Sequence, residues 1–279
     1  MRVFITGSKG QLGSEFIRFF DKNGWQYIAA DLDTLDIADG DAVLKAVMPC
    51  RPGLIINCAA YNLVDKAESE PKPAWDVNAE GVRNLAFAAR QLESKLVHFG
   101  TDYVFDGEKR APYVETDPVN PLNEYGRSKL KGEEYALDCP GSLVLRLSWV
   151  YGRGTQNFIH KLLGWAEKPG PLRVPEDEVS VATFAGDIVD AVMVALREGV
   201  TGRWHLSGGE PCSRYDWARA ALKAYRVEKE ILPAKMADFG LAARRPGYSA
   251  MSNAALCGQL GVKLPHWRES MEKFIKENK

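Results

Sequence analysis

The chain has 279 residues, of which 46% are apolar and 26% charged, with a formal net charge of -1. That length accommodates one domain or two closely fused ones, and a near-neutral charge excludes a global field for nucleic acid or an anionic membrane surface. No apolar run approaches the ~18 residues of a membrane span, and the five cysteines are scattered without a C-x-x-C pair, which argues against a disulfide framework or a cysteine metal site and for a reducing cytoplasm.

Met1 to Thr6 run straight into a glycine-rich turn, without the apolar stretch and small-residue cleavage site of a secretory signal. Val3 to Thr6 read as a strand, and Leu12, Phe16, Ile17 and Phe20 then recur at helical spacing. Tyr27 to Ala30 form a second strand ending at Asp31, followed by a helical pattern at Ala42, Val43, Ala46 and Val47. Leu54 to Ile56 are a third buried strand, Val82, Leu85, Ala86, Ala89 and Leu92 one face of a long helix, and Leu96 to Phe99 the next strand. Strands alternating with helices predict parallel pairing and right-handed crossovers. The expected fold is therefore α/β, a doubly wound parallel sheet of the Rossmann kind over residues 1–150. Beyond Leu143 to Leu147 the regularity weakens, and Gly- and Pro-rich turns recur at 169–171, 208–211 and 245–247. Residues 151–279 are read as a smaller substrate lobe, partly interleaved with the sheet domain, to which a segment near 187–206 returns.

The first chemical signal is Gly7-x-x-Gly10-Gln11-Leu12-Gly13, placed after a strand and at the opening of a helix. Glycines there allow a tight turn and close approach to a pyrophosphate, which rests on the free N–H groups of the helix start. Asp31 is placed to bond the adenosine ribose hydroxyls, with Asp36 further along the same loop as a second cofactor contact. A carboxylate there repels a 2′-phosphate, which makes NADH usable, while Lys9 offsets that repulsion if it points to the same place. Asn57, Cys58, Ala59, Ala60 and Tyr61 follow the third strand, and the small residues among them let a cofactor lie across its end. Gly100-Thr101-Asp102 after the next strand, then Tyr125 and Lys129 four residues apart, form the most informative group. An ammonium beside a phenol is expected to lower the phenol's pKa, so that Tyr125 can pass a proton to a carbonyl oxygen held by Thr101. Tyr225 and Lys229 repeat the Y-x-x-x-K spacing, and are expected to be a surface pair on a C-terminal helix.

The ordered set of these motifs resembles the dTDP-4-dehydrorhamnose reductases, a group of extended short-chain dehydrogenases. The resemblance is carried by the glycine turn, Asn57 to Tyr61, Val64 to Glu68, Thr101 to Gly107, Tyr125 to Glu133 and Arg146 to Gly152, and runs over essentially the whole chain. It implies reduction of the C4 keto group of dTDP-4-dehydro-L-rhamnose by NADPH or NADH. Thr101, Tyr125 and Lys129 would be the catalytic set, Tyr125 the proton donor, and Lys129 would bond the nicotinamide ribose. Asp102 and Trp149 would line the sugar-nucleotide pocket and Arg245 would meet the diphosphate. Some members bind a divalent metal such as magnesium at a homodimer contact through glutamates, and Glu15 matches one such position without revealing the others. Departures from the usual pattern fall at Gly100 (commonly Ser), Asn62 (commonly Thr), Glu178 (Gln), Ala182 (Pro) and Tyr248 (Asn). These leave open a reductase or epimerase of another nucleotide-linked 4-keto-6-deoxy sugar. A non-catalytic regulatory subunit, like the relative that partners methionine adenosyltransferase, is the third reading.

Overall fold

The computed structural model describes residues 2–154 and 156–278. Its first half follows the predicted alternation: β1 Val3–Thr6, α1 Gln11–Lys22, β2 Tyr27–Ala29, α2 Gly40–Val47, β3 Leu54–Asn57, α3 Val64–Ser69, α4 Pro71–Trp75, α5 Gly81–Gln91, β4 Lys95–Thr101, α6 Glu124–Leu137 and β5 Leu143–Leu147. A wide π-helical turn at Asp76–Glu80 joins α4 to α5. The second half runs β6 Val150–Tyr151, α7 Phe158–Ala166, β7 Leu172–Pro175, β8 Val179–Ser180, β9 Thr183–Phe184, α8 Ala185–Arg197, β10 Gly202–His205, β11 Cys212–Ser213, α9 Arg214–Tyr225, β12 Ile231–Ala234, α10 Ala254–Leu260 and α11 Trp267–Glu277.

Six strands form one parallel sheet in the order β10-β5-β4-β3-β1-β2. Alternate strand residues serve opposite faces, as the two-residue period requires. Val3, Ile5, Leu54, Ile56, Val97, Phe99, Leu143 and Leu145 pack with Phe16 and Phe20 of α1 and Ile188 and Val192 of α8. Phe4, Ile55, Leu96 and Val144 point the other way, onto Val43 and Val47 of α2 and Val82, Leu85 and Ala89 of α5. Both faces are therefore covered, which is why these strands read as unbroken apolar runs. The chain leaves β1 toward β2 on one side and returns to β3 on the other. That reversal opens a crevice at the strands' carboxyl ends, where ligands bind in such sheets.

The segment beyond β5 builds three two-stranded ribbons, β6 with β9, β7 with β12 and β8 with β11, around an aromatic core of Tyr151, Phe184, Trp217, Trp267 and Phe274. Within that half, α8 and β10 leave the lobe and join the sheet domain, β10 as its edge strand beside β5.

Candidate active site

A cavity of about 540 Å³ lies in the crevice, walled by the start of α1 and the chain just beyond β3, β4 and β5. At its floor the glycine turn is sterically closed to other residues. Gly7 has φ of 64°, and a Cβ on Gly13 would come within 2.1 Å of the Gly7 carbonyl oxygen. Gly10 caps α1 without any side-chain acceptor, so the helix presents its first N–H groups to the cavity. Gln11 adds a side-chain amide whose buried Oε1 has no partner among the described residues. This cradle fits a dinucleotide diphosphate. Across the crevice, Asn57 accepts from Thr6 Oγ1 at 2.7 Å and from the Ala59 N–H at 3.1 Å, which sets the chain of Ala59 and Ala60 along the cavity wall. The Tyr61 N–H is held by Asn78 at 2.9 Å.

The acidic residues after β2 lie at and beyond the glycine turn. Asp31 accepts the Lys9 N–H at 2.7 Å and so braces the glycine turn from outside, while the Lys9 ammonium pairs with Asp33 at 2.5 Å and not with Asp31. Asp36 is exposed and accepts the Ala38 N–H at 2.9 Å. Neither carboxylate forms part of the cavity wall.

Thr101, Tyr125 and Lys129 come together on one wall. Thr101 ends β4; Tyr125 and Lys129 share a face of α6, which starts where Asn123 accepts the Gly126 N–H at 2.7 Å. The Tyr125 hydroxyl donates to Asn62 Oδ1 at 3.4 Å, a partner that the motif reading noted only as a departure. Lys129 is buried and donates to the Phe99 carbonyl at 2.6 Å. The electrostatics correct one expectation. Burial pushes the Tyr125 phenol up to about 12, with hydrogen bonding to Thr101 pulling against it and the Asp102 charge adding to it. The lysine does not make a phenolate here: burial pulls its own ammonium down to about 8, while Glu133 and Cys58 hold it up. A protonated phenol is the state a proton donor needs.

Asp102 also reaches the cavity wall, but its carboxylate is engaged. It accepts from Ser180 at 2.8 Å, Ser249 at 2.5 Å and Thr101 at 3.3 Å, tying the end of β4 to the lobe. Burial raises it to about 6 despite those bonds. Trp149 lines the cavity with φ of 38°, a strained backbone for a bulky residue. The Arg214 guanidinium lies 3.6 Å from its ring centroid, and Glu178 grips Arg214 through two bonds of 3.0 and 3.1 Å. No local pattern announces this stack, since its partners stand far apart in the chain. Arg245 sits outside the cavity wall, its guanidinium bonded twice to Asp65 at 2.6 and 3.0 Å. Glu15 lies on another face, buried and paired with Arg18; no cluster of three metal-ligating side chains occurs among the described residues. The second Y-x-x-x-K is not a helical pair. The helix α9 ends at Tyr225, Arg226 turns left-handed at φ of 58°, and Lys229 bonds instead to the Lys168 carbonyl.

A family model described as RmlD substrate binding domain matches residues 1–279. A dTDP-4-dehydrorhamnose reductase of Sinorhizobium fredii is 36% identical over 290 aligned residues, covering 99% of this chain and 97% of the relative. The chain belongs to the dTDP-4-dehydrorhamnose reductase family. Another relative at 35% identity, covering 99% of this chain and 97% of its own, is the spore coat polysaccharide biosynthesis protein SpsK of Bacillus subtilis. Among solved structures, a dTDP-4-dehydrorhamnose reductase from Bacillus anthracis in complex with NADP superposes with a TM-score of 0.95 at 32% identity, covering 99% of each chain. Two of the positions noted as departures from the resemblance are engaged in the site. Glu178 is the anion that pairs with Arg214. Asn62 is the acceptor for Tyr125.

Proposed function

We propose that the chain reduces the C4 keto group of dTDP-4-dehydro-L-rhamnose to dTDP-L-rhamnose with NAD(P)H. The observation that carries this reading is the meeting of a protonated phenol, a threonine hydroxyl and a buried ammonium on one cavity wall, in a crevice that begins at the glycine cradle. A reduced nicotinamide supplies the hydride when bound; Gly7, Gly10, Gln11, Leu12, Gly13, Ala59 and Ala60 are the residues that would hold its dinucleotide. Tyr125 donates its proton to the C4 oxygen as the carbonyl becomes an alcohol. Thr101 holds that oxygen by a hydrogen bond in the direction that favours developing negative charge. Lys129 carries the positive charge that stabilises the phenolate left on Tyr125, and it would bond the cofactor ribose. Trp149 forms the wall against the sugar. Arg245 takes the diphosphate only by exchanging Asp65 for it, a like-for-like bidentate partner.

Residues 1–150 with α8 and β10 act as the cofactor half, and the remainder as the substrate lobe. A homodimer and a cytoplasmic site of action complete the reading; the five cysteines are free, as a reducing compartment keeps them. Purified protein, dTDP-4-dehydro-L-rhamnose and NADPH or NADH should show loss of the reduced-nicotinamide absorbance. Tyr125→Phe should abolish turnover while the cofactor still binds. Near-normal turnover in that variant would remove the proton donor from this scheme. Asn62 accepts from the catalytic phenol, so a panel of other nucleotide-linked 4-keto-6-deoxy sugars belongs in the same assay; faster turnover of one of them reassigns the sugar but not the chemistry.

A further inference from the structure

The Arg214 guanidinium sits in a box of aromatic rings. It lies 3.6 Å from the ring centroid of Trp149, 4.9 Å from that of Phe158 and 5.6 Å from that of Trp217. The rings also pack on one another: Trp149 is stacked nearly parallel to Trp217 with centroids 5.6 Å apart, and Phe158 lies 4.8 Å from Trp217. A flat cation over an indole face is attracted by the ring's quadrupole, more strongly where water is excluded. Glu178 fixes the cation at its edge. Its carboxylate accepts from Nε and Nη2, and its carbonyl accepts the Arg214 N–H at 2.9 Å, where β8 pairs with β11.

Two observations make this box the device that sets Trp149. The indole N–H groups of Trp149 and Trp217 have no hydrogen-bond partner among the described residues, so no such bond anchors either ring, although a buried indole ordinarily has one. The φ of 38° at Trp149 is a left-handed backbone that a bulky residue keeps only where its surroundings impose it. The guanidinium and Trp217 share one face of that indole. On opposite faces they would stand about 7 Å apart, two contact distances, and they are 5.6 Å apart. The opposite face is left for the cavity that Trp149 lines.

We infer that Arg214 is a positioning residue for the nucleotide sugar: pinned by Glu178, it holds the Trp149 indole against the substrate cavity and so sets the cavity's width. Arg214 is not part of the cavity wall and acts only through the indole. The effect on the substrate rests on Trp149 being the wall against the sugar; the effect on the indole does not.

The test reads both. The protein is labelled with 5-fluorotryptophan, and among its seven tryptophans the ¹⁹F line of Trp149 is identified by its loss in Trp149→Phe. The displacement of that line between H2O and D2O reports how far water reaches the ring. Kinetics with dTDP-4-dehydro-L-rhamnose and NADPH are measured beside it. Arg214→Leu should enlarge the solvent displacement of the Trp149 line. It should also raise KM for the nucleotide sugar about tenfold, with kcat and the Kd for NADPH changed by no more than about twofold. Arg214→Leu strands the Glu178 carboxylate, whose side chain is only 11% exposed, and can fail to fold. Glu178→Gln/Arg214→Leu is therefore the second variant, with the same changes expected. A solvent displacement unchanged in whichever variant folds overturns the inference, as does a loss of NADPH affinity as large as the loss for the sugar. A larger displacement with an unaltered KM upholds the hold on the indole and refutes Trp149 as the wall against the sugar.

Discussion

Replacing Asp102 with asparagine would isolate the energetic consequence of a carboxylate trapped between sheet and lobe. Its folded pKa is raised from 3.8 to about 6, chiefly by burial. The folded state therefore holds the proton more tightly than the unfolded chain. The stabilisation this gives is complete below about 3.8 and is lost as pH climbs through about 6. Two pH units correspond to about 3 kcal/mol at 1.36 kcal/mol per unit. The introduced amide cannot ionise, and the hydrogen bonds it loses or remakes to Ser180 and Ser249 add an offset that does not vary with pH. Urea unfolding of parent and Asp102→Asn at pH 4, where a little of that stabilisation is already lost, and at pH 7.5 should show the difference between them moving by about 2.5 kcal/mol in the variant's favour at the higher pH. In thermal melts that amounts to roughly 4–5 °C for a chain of this size. Parallel stability curves across this range would mean that Asp102 does not carry the burial cost, and would refute the reasoning.

Gly13→Ala places a methyl within 2.1 Å of the Gly7 carbonyl oxygen and should weaken NADPH binding at least about tenfold in a fluorescence titration; an unchanged Kd would count against the turn as the diphosphate cradle. Tyr225→Phe should keep turnover within about twofold, because its phenol sits at the end of α9 away from the cavity wall; a large loss would mean that the chemistry lies elsewhere. Arg245→Ala should raise KM for the nucleotide sugar about tenfold or more, with a smaller change in kcat, whereas an unaltered KM would detach this guanidinium from the diphosphate.

Much of this site could be read before any fold was known, and the reason is local. The glycine cradle, the end of β4 and the Tyr125–Lys129 face of α6 are each contained within a few residues, and their order along the chain matches the order of strands that deliver them. What escaped is non-local or depends on a single dihedral. Arg214 meets Trp149 across 65 residues, and Arg245 meets Asp65 across 180. Periodicity put Tyr225 and Lys229 on one helix, but a left-handed Arg226 ends that helix between them. The charge expectations failed for a related reason. Spacing brought Tyr125 and Lys129 to one face, but it carried no information on how deeply each is buried, and burial decides both pKa values.

The edge strand β10 has a consequence for how the molecule can be made and recombined. Its residues emerge from synthesis only after the intervening lobe segments from β6 to β9, so β5 stays an unpaired, apolar border until residue 205 has been added. A fragment cut at the apparent boundary near residue 150 would expose that border and should self-associate. Exchanging substrate lobes between relatives by a single crossover at that point would separate α8 and β10 from the nucleotide half they complete; a viable chimera needs at least two crossovers, one on each side of this returning pair.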